Sequence, residues 1–197
     1  VPGWSTYIHP LGDRLVTIGI DDQSGWKVAV SLFDVADAQK PSLLSKVTLG
    51  ESGSWSEANW DEKAFAVLPE AGLILVPYGE WASGGYATQV QLVDLGNDTL
   101  TKRGVIAHKM QPRRATAYGE RILSVSGKEL MVVDAGGRDK PAVTATLVLS
   151  WTVDRLLLAN GWLIEAEAGS EWPGPAVPVL RVADAAAPNV VLSQAAL

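Results

Sequence analysis

Short apolar, β-branched runs alternate with polar turns along this chain, and the alternation itself repeats. Residues 128–149 read KELMVVDAGGRDKPAVTATLVL: an apolar run closes in Asp134, a polar turn carries Pro141, and a second run ends in Leu149. Residues 30–49 read VSLFDVADAQKPSLLSKVTL, with Asp34, Pro41 and Leu49 in the corresponding places and the same spacing of seven from Asp to Pro. Each copy predicts two strands and a connector. A repeated unit buries its faces against its neighbours, so this self-similarity sets the architecture before any single residue does.

Read in order, the pattern predicts four strands in each of four units. The first has strands at 6–10, 14–20, 27–34 and 43–49; the second at 63–68, 73–78, 88–94 and 100–107. The third has strands at 114–118, 121–126, 129–134 and 143–149; the fourth at 154–159, 162–168, 177–184 and 189–197. Gly12-Asp13, residues 21–25, Glu70-Ala71-Gly72, the 79–85 insertion and Gly96-Asn97-Asp98 supply turn chemistry between them. The third strands end at Asp34, Asp94, Asp134 and Asp184, where each carboxylate is expected to accept N–H groups of the following turn. Tandem four-stranded antiparallel units are the pattern of β-propeller blades, so the fold class is all-β, with blades near 4–50, 55–108, 112–150 and 151–197 of one module spanning 1–197. Four blades either close a compact ring or form half of an eight-bladed ring completed by a second copy.

The loops leading into three of the units repeat Trp-Ser/Thr, at Trp4-Ser5, Trp55-Ser56 and Trp151-Thr152, while the third unit has Arg113-Arg114. Eight tryptophans in 197 residues is the unusual count. One reading wedges each indole between blades with its N–H on a loop carbonyl; the other makes the indoles aromatic platforms around a channel mouth. A net charge of −6 argues against a nucleic-acid partner, and no apolar run is long enough for a membrane helix. With no cysteine there is neither disulfide framework nor thiol chemistry, a composition that suits an exported bacterial protein.

The segments PGWSTYIHPLGDRLVTIGIDD, VSLFDVADAQKPSLLSKVTLGESGSWSEANWDEKAF and RRATAYGERILSVSGKELMVVD resemble a family of secreted bacterial and archaeal proteins whose C-terminal β-propeller domain is distantly related to WD repeats. LMVVDAGGRDKP also looks like the LVIVD repeat of bacterial surface proteins. The resemblance covers residues 1–149 well and the fourth unit by pattern. It implies an extracellular, periplasmic or cell-surface location and transfers no activity, ligand or catalytic residue. Family members commonly have His where this chain has Glu62, and they carry further blades before the VPGWST-like segment, which makes this chain look like a C-terminal fragment or a short homologue.

Candidate chemistry is sparse. Gly50-Glu51-Ser52-Gly53-Ser54 resembles a nucleophile elbow only superficially, and the two histidines are expected to be a structural His9 and an exposed loop His108. Asp21-Asp22-Gln23-Ser24-Gly25 lacks the spacing of a calcium loop and reads as a hairpin turn. Glu57 and Asp61, flanked by Trp55 and Trp60, are the one acid pair suited to glycoside hydrolysis. The expected site is therefore a non-catalytic face of Trp4, Trp55, Trp60, Trp81 and Trp151 with Glu57, Asp61, Arg113 and Arg114, without metal or cofactor, binding a protein or peptide. The alternatives are carbohydrate binding or hydrolysis on the same face, or a purely structural segment of a larger surface protein.

Overall fold

The computed structural model describes residues 3–23, 25–51, 53–83, 85–167 and 178–196, in two compact units, Val1–Leu149 and Ser150–Leu197. Alternation of large aliphatic with small or polar residues makes the strands of the first sheet two-faced: β1 Trp4–Leu11, β2 Arg14–Asp21, β3 Lys27–Asp34 and β4 Ser42–Leu49. They pair antiparallel in chain order. The hairpin from β1 to β2 turns at Gly12, whose φ of +58° suits glycine.

The second sheet departs from the expected single first strand at 63–68. That strand is split into β5 Ser54–Trp55 and β6 Ala66–Leu68, because Ser56 and Asp61 each cap a 3-10 turn, Glu57–Asn59 and Glu62–Ala64. The 79–85 insertion is also corrected: β7 Leu73–Ala82 and β8 Gly85–Leu95 continue their ladder through it, and β9 Leu100–His108 completes the sheet. The third sheet comprises β10 Pro112–Tyr118, β11 Arg121–Ser126, β12 Glu129–Asp134 and β13 Ala142–Val148. In the second unit, β14 Arg155–Ala159, β15 Trp162–Glu167, β16 Val179–Asp184 and β17 Ala187–Ala196 form the fourth. Predicted strand ends at Ala168, Val177 and Leu197 lie outside the described residues.

Register shows how closely the four sheets correspond. Arg14, Leu73, Arg121 and Trp162 stand opposite Asp34, Asp94, Asp134 and Asp184. The third and fourth strands of every sheet shift register within three residues of that aspartate, a bulge that strengthens the local twist. Counting from the aspartate assigns two faces. Val16, Ile18, Val30 and Leu32 of the first sheet pack on Ile74, Val76, Tyr78 and Val93 of the second. The opposite face of the second, Leu75, Val90 and Leu92, packs on Ile122, Met131 and Val133 of the third. Each fully buried Leu or Ile here contributes about 1.5–3 kcal/mol.

The strand-closing aspartates do structural work. Asp34, Asp134 and Asp184 accept the N–H of Ala36, Gly136 and Ala186 at 2.8–2.9 Å. Asp94 departs from that expectation: it takes Arg138 at 2.6 Å and Arg103 at 3.5 Å, and Arg138 also donates to the carbonyls of Gly72 and Ala71. Arg14 joins Asp34 to Asp98.

Candidate functional site

The opposite end of the first three sheets, where the chain enters the first strand and turns from the second strand into the third, gathers their tryptophans. Ser56 fixes the local path: its Oγ accepts the Ala58 N–H at 3.1 Å and donates to the Pro77 carbonyl at 2.5 Å. The two 3-10 turns then lift Glu57, Trp60 and Asp61 off the sheet. Arg113 meets Glu57 at 2.5 Å and Arg114 meets Asp61 at 2.9 Å, so two ion pairs tie these turns to β10.

Trp60 is 76% exposed, and its ring lies 6.4 Å from that of Trp55. The Trp55 indole N–H donates to the Tyr86 hydroxyl, and the Tyr86 ring meets Trp81 edge-on at 5.2 Å. Trp81 is 54% exposed. The result is a strip, Trp60–Trp55–Tyr86–Trp81, with open indoles at both ends. Gly79 is required beneath it, since a Cβ there would run into the Tyr86 hydroxyl. Tyr86 stands directly across the hairpin from Trp81. Its signal in the sequence is the Trp-x-x-x-x-Tyr spacing of residues 81–86, in which Trp81 pairs with Tyr86 and Ala82 with Gly85, and which the reading of 79–85 as a loop concealed.

Buried polar groups lie in the same end of the unit. Glu80, 6% exposed, accepts the Glu51 N–H and the Gln89 amide at 2.7 Å and the Tyr78 hydroxyl at 3.3 Å. Burial, helped by Glu80, pushes the Tyr78 hydroxyl far above its usual range. His108 is not an exposed loop residue: it ends β9 opposite Thr88, with Nε2 2.7 Å from Ser124 Oγ and Nδ1 3.6 Å from Glu129. Burial holds its pKa below the ordinary histidine value, with Glu129 pulling the other way. Ser, His and Glu occur here in the order of a catalytic triad, yet Ser124 is fully buried and no substrate reaches its Oγ.

The structure thus brings together Trp55, Trp60 and Trp81 with Glu57, Asp61, Arg113 and Arg114. Trp4 lies apart from the strip's chain of ring contacts, packed edge-on at 5.3 Å against Trp26, a 65% exposed indole not anticipated from the sequence. Trp151 belongs to the second unit and is not an open platform. Its N–H donates to Glu165 at 2.6 Å and the Arg181 guanidinium covers its ring at 5.0 Å. The expectation of indole N–H groups bonded to loop carbonyls is corrected for Trp55 and Trp151, which donate to a hydroxyl and a carboxylate. His9, on β1, sits beside the Tyr7 ring. Asp21 is occupied by the Gln23 N–H and the Lys46 ammonium, and Lys46 above all lowers its pKa, as suits a hairpin turn. Among the described residues no group of three or more His, Cys, Asp or Glu could hold a metal.

Residues 1–118 match the family described as beta propeller domain. A stretch of 65 residues is 40% identical to an uncharacterized protein of Methanocaldococcus jannaschii. That match covers 33% of this chain and 10% of the archaeal protein's length.

Proposed function

The chain belongs to the beta propeller domain family, and from that premise we propose that it is a non-catalytic binding module whose aromatic strip grips a protein or peptide segment. One observation carries this reading: two ring pairs joined by the Trp55–Tyr86 hydrogen bond form a ridge whose terminal indoles, Trp60 and Trp81, remain more than half exposed. Exposed tryptophan contributes little to the fold, while at an interface Trp and Tyr are the residues that carry binding energy. Arg113–Glu57 and Arg114–Asp61 border the strip as a polar rim. Each of these carboxylates is committed to a guanidinium, which argues against their serving as the acid and nucleophile of a glycosidase.

Screening a random peptide library and a glycan array with the wild type, Trp60→Ala and Trp81→Ala tests the proposal. Peptide binders weakened about tenfold or more by either substitution, with the fold unchanged, are expected. Binding of glycans alone would replace the peptide reading with the carbohydrate one, and binders indifferent to both substitutions would overturn the assignment of the strip. The same proposal puts the protein outside the cytoplasm, where a chain without cysteine has no thiol to oxidise. Cell fractionation showing it wholly in the cytoplasm would reject that part.

A further inference from the structure

An open length of strand edge lies beside the aromatic strip. β8 begins at Gly85, three residues ahead of its first pairing with β9, which sets Thr88 opposite His108. Over 85–87 the strand is paired on one side only, with β7, in the hairpin that sets Ala82 against Gly85 and Trp81 against Tyr86. β9 ends at His108 because the third sheet takes hold of the chain there. The His108 ring is buried against Ser124 and Glu129, and the Lys109 N–H donates to the same Glu129 carboxylate at 3.2 Å. Continued by two residues, the ladder would put Met110 opposite Tyr86; instead the chain leaves that edge and starts β10 at Pro112.

Hairpin geometry decides what the edge offers. Ala82 and Gly85, with two residues between them, close the hairpin as a pair that exchanges main-chain hydrogen bonds. Along β8 the N–H and C=O groups of Gly85 and Ala87 therefore point to β7, and those of Tyr86 and Thr88 point the other way. Thr88 meets His108 there, while the N–H and C=O of Tyr86 meet no partner among the described residues. Such a donor and acceptor on one residue are matched by one residue of an extended chain, whose own N–H and C=O lie on a single side. A helical segment has spent these groups internally, and a proline at that place lacks the N–H. The side chain of the residue opposite Tyr86 emerges on the face that carries the Tyr86 and Trp81 rings. We propose that the ligand of the strip is an extended protein segment that adds to β8 as an antiparallel strand in the line β9 leaves. One of its residues exchanges both hydrogen bonds with Tyr86 and lays its side chain beside the Tyr86–Trp81 pair. The inference rests on the reading of the strip as a peptide site, and adds to it the ligand's conformation and the main-chain contact that selects it.

The test uses the tightest peptide of the library screen whose binding depends on Trp60 or Trp81, the same peptide N-methylated at each residue in turn, and amide hydrogen exchange of the protein read by NMR. On binding, exchange at the Tyr86 amide is expected to slow about tenfold or more, while Ala87, already directed at Glu80 across the hairpin, changes little. N-methylation at one peptide position is expected to weaken binding about tenfold, the scale of one lost hydrogen bond. At its two neighbours, whose N–H groups point away from β8, the same modification is expected to have little effect. A strip-dependent peptide that leaves exchange at Tyr86 unchanged, or that tolerates N-methylation throughout, would overturn strand addition while the strip stands as a peptide site. A screen that yields no strip-dependent peptide would overturn both.

Discussion

Where Asp34, Asp94 and Asp134 close their strands, charge is spent on the fold: aspartates cap turns, Arg14 links Asp34 to Asp98, and Arg138 holds Asp94 together with two carbonyls. At the other end of the same sheets the arrangement is inverted, with acids Glu80 and Glu129 buried and the indoles of Trp60 and Trp81 facing solvent. The contrast separates two kinds of residue that composition alone would merge. Surface charge at the aspartate end has a structural partner within reach, whereas the exposed aromatic surface at the tryptophan end has no folding role equal to its cost in solvation. The exposed aromatic surface is therefore where a ligand is sought.

The contrast can be broken most forcefully at Glu80. Glu80→Ala leaves the Glu51 N–H, the Gln89 amide and the Tyr78 hydroxyl without their shared acceptor, and is expected to cost about 2–3 kcal/mol by denaturant titration. A loss below about 0.5 kcal/mol would mean that the tryptophan end is not built on this buried acid. Next comes Arg138→Ala at the aspartate end, for which about 1.5 kcal/mol is expected, the low end for a charged hydrogen bond because the pair is partly open to solvent. Its melting temperature should fall by a few degrees, with binding at the strip unchanged.

The smallest effect separates the ends by pH. Burial makes folded His108 bind a proton less readily than the unfolded chain does. Its contribution is present in full above the ordinary histidine value of about 6.5 and is lost as pH falls below it toward the lower folded value. Comparing the melting temperatures of the wild type and His108→Asn at pH 7.5 and 5.5, chosen to lie about one unit either side of that value, isolates the term from the carboxylates. The wild type should lose more stability on acidification than the variant. Parallel losses would remove His108 as their source.

Much of this was legible in the sequence because strand alternation and turn residues are local. The Asp-to-Pro repeat and the Gly12 turn located the sheets, and β3, β11 and β12 occupy the predicted residues. The interrupted first strand was not legible, since Ser56 and Asp61 act as caps only when the backbone around them turns. The site was legible by residue type and not by contact. Trp55, Glu57, Trp60, Asp61, Trp81, Arg113 and Arg114 were named from spacing, but Tyr86, which joins Trp55 to Trp81, depends on ladder register, and the burial of His108 depends on the packing of two sheets. Trp151 shared the Trp-Ser/Thr signature and still differs, because Arg181 and Glu165 occupy its ring and its N–H.

The most direct measurement is NMR of the indole N–H and backbone amide signals during titration with the tightest peptide from the library screen. The signals of Trp60, Trp81 and Trp55 are expected to move together with a common affinity, while the amides of Ala36, Gly136 and their neighbours at the aspartate end stay in place. Shifts concentrated at the aspartate end, with the strip indoles unmoved, would contradict the account.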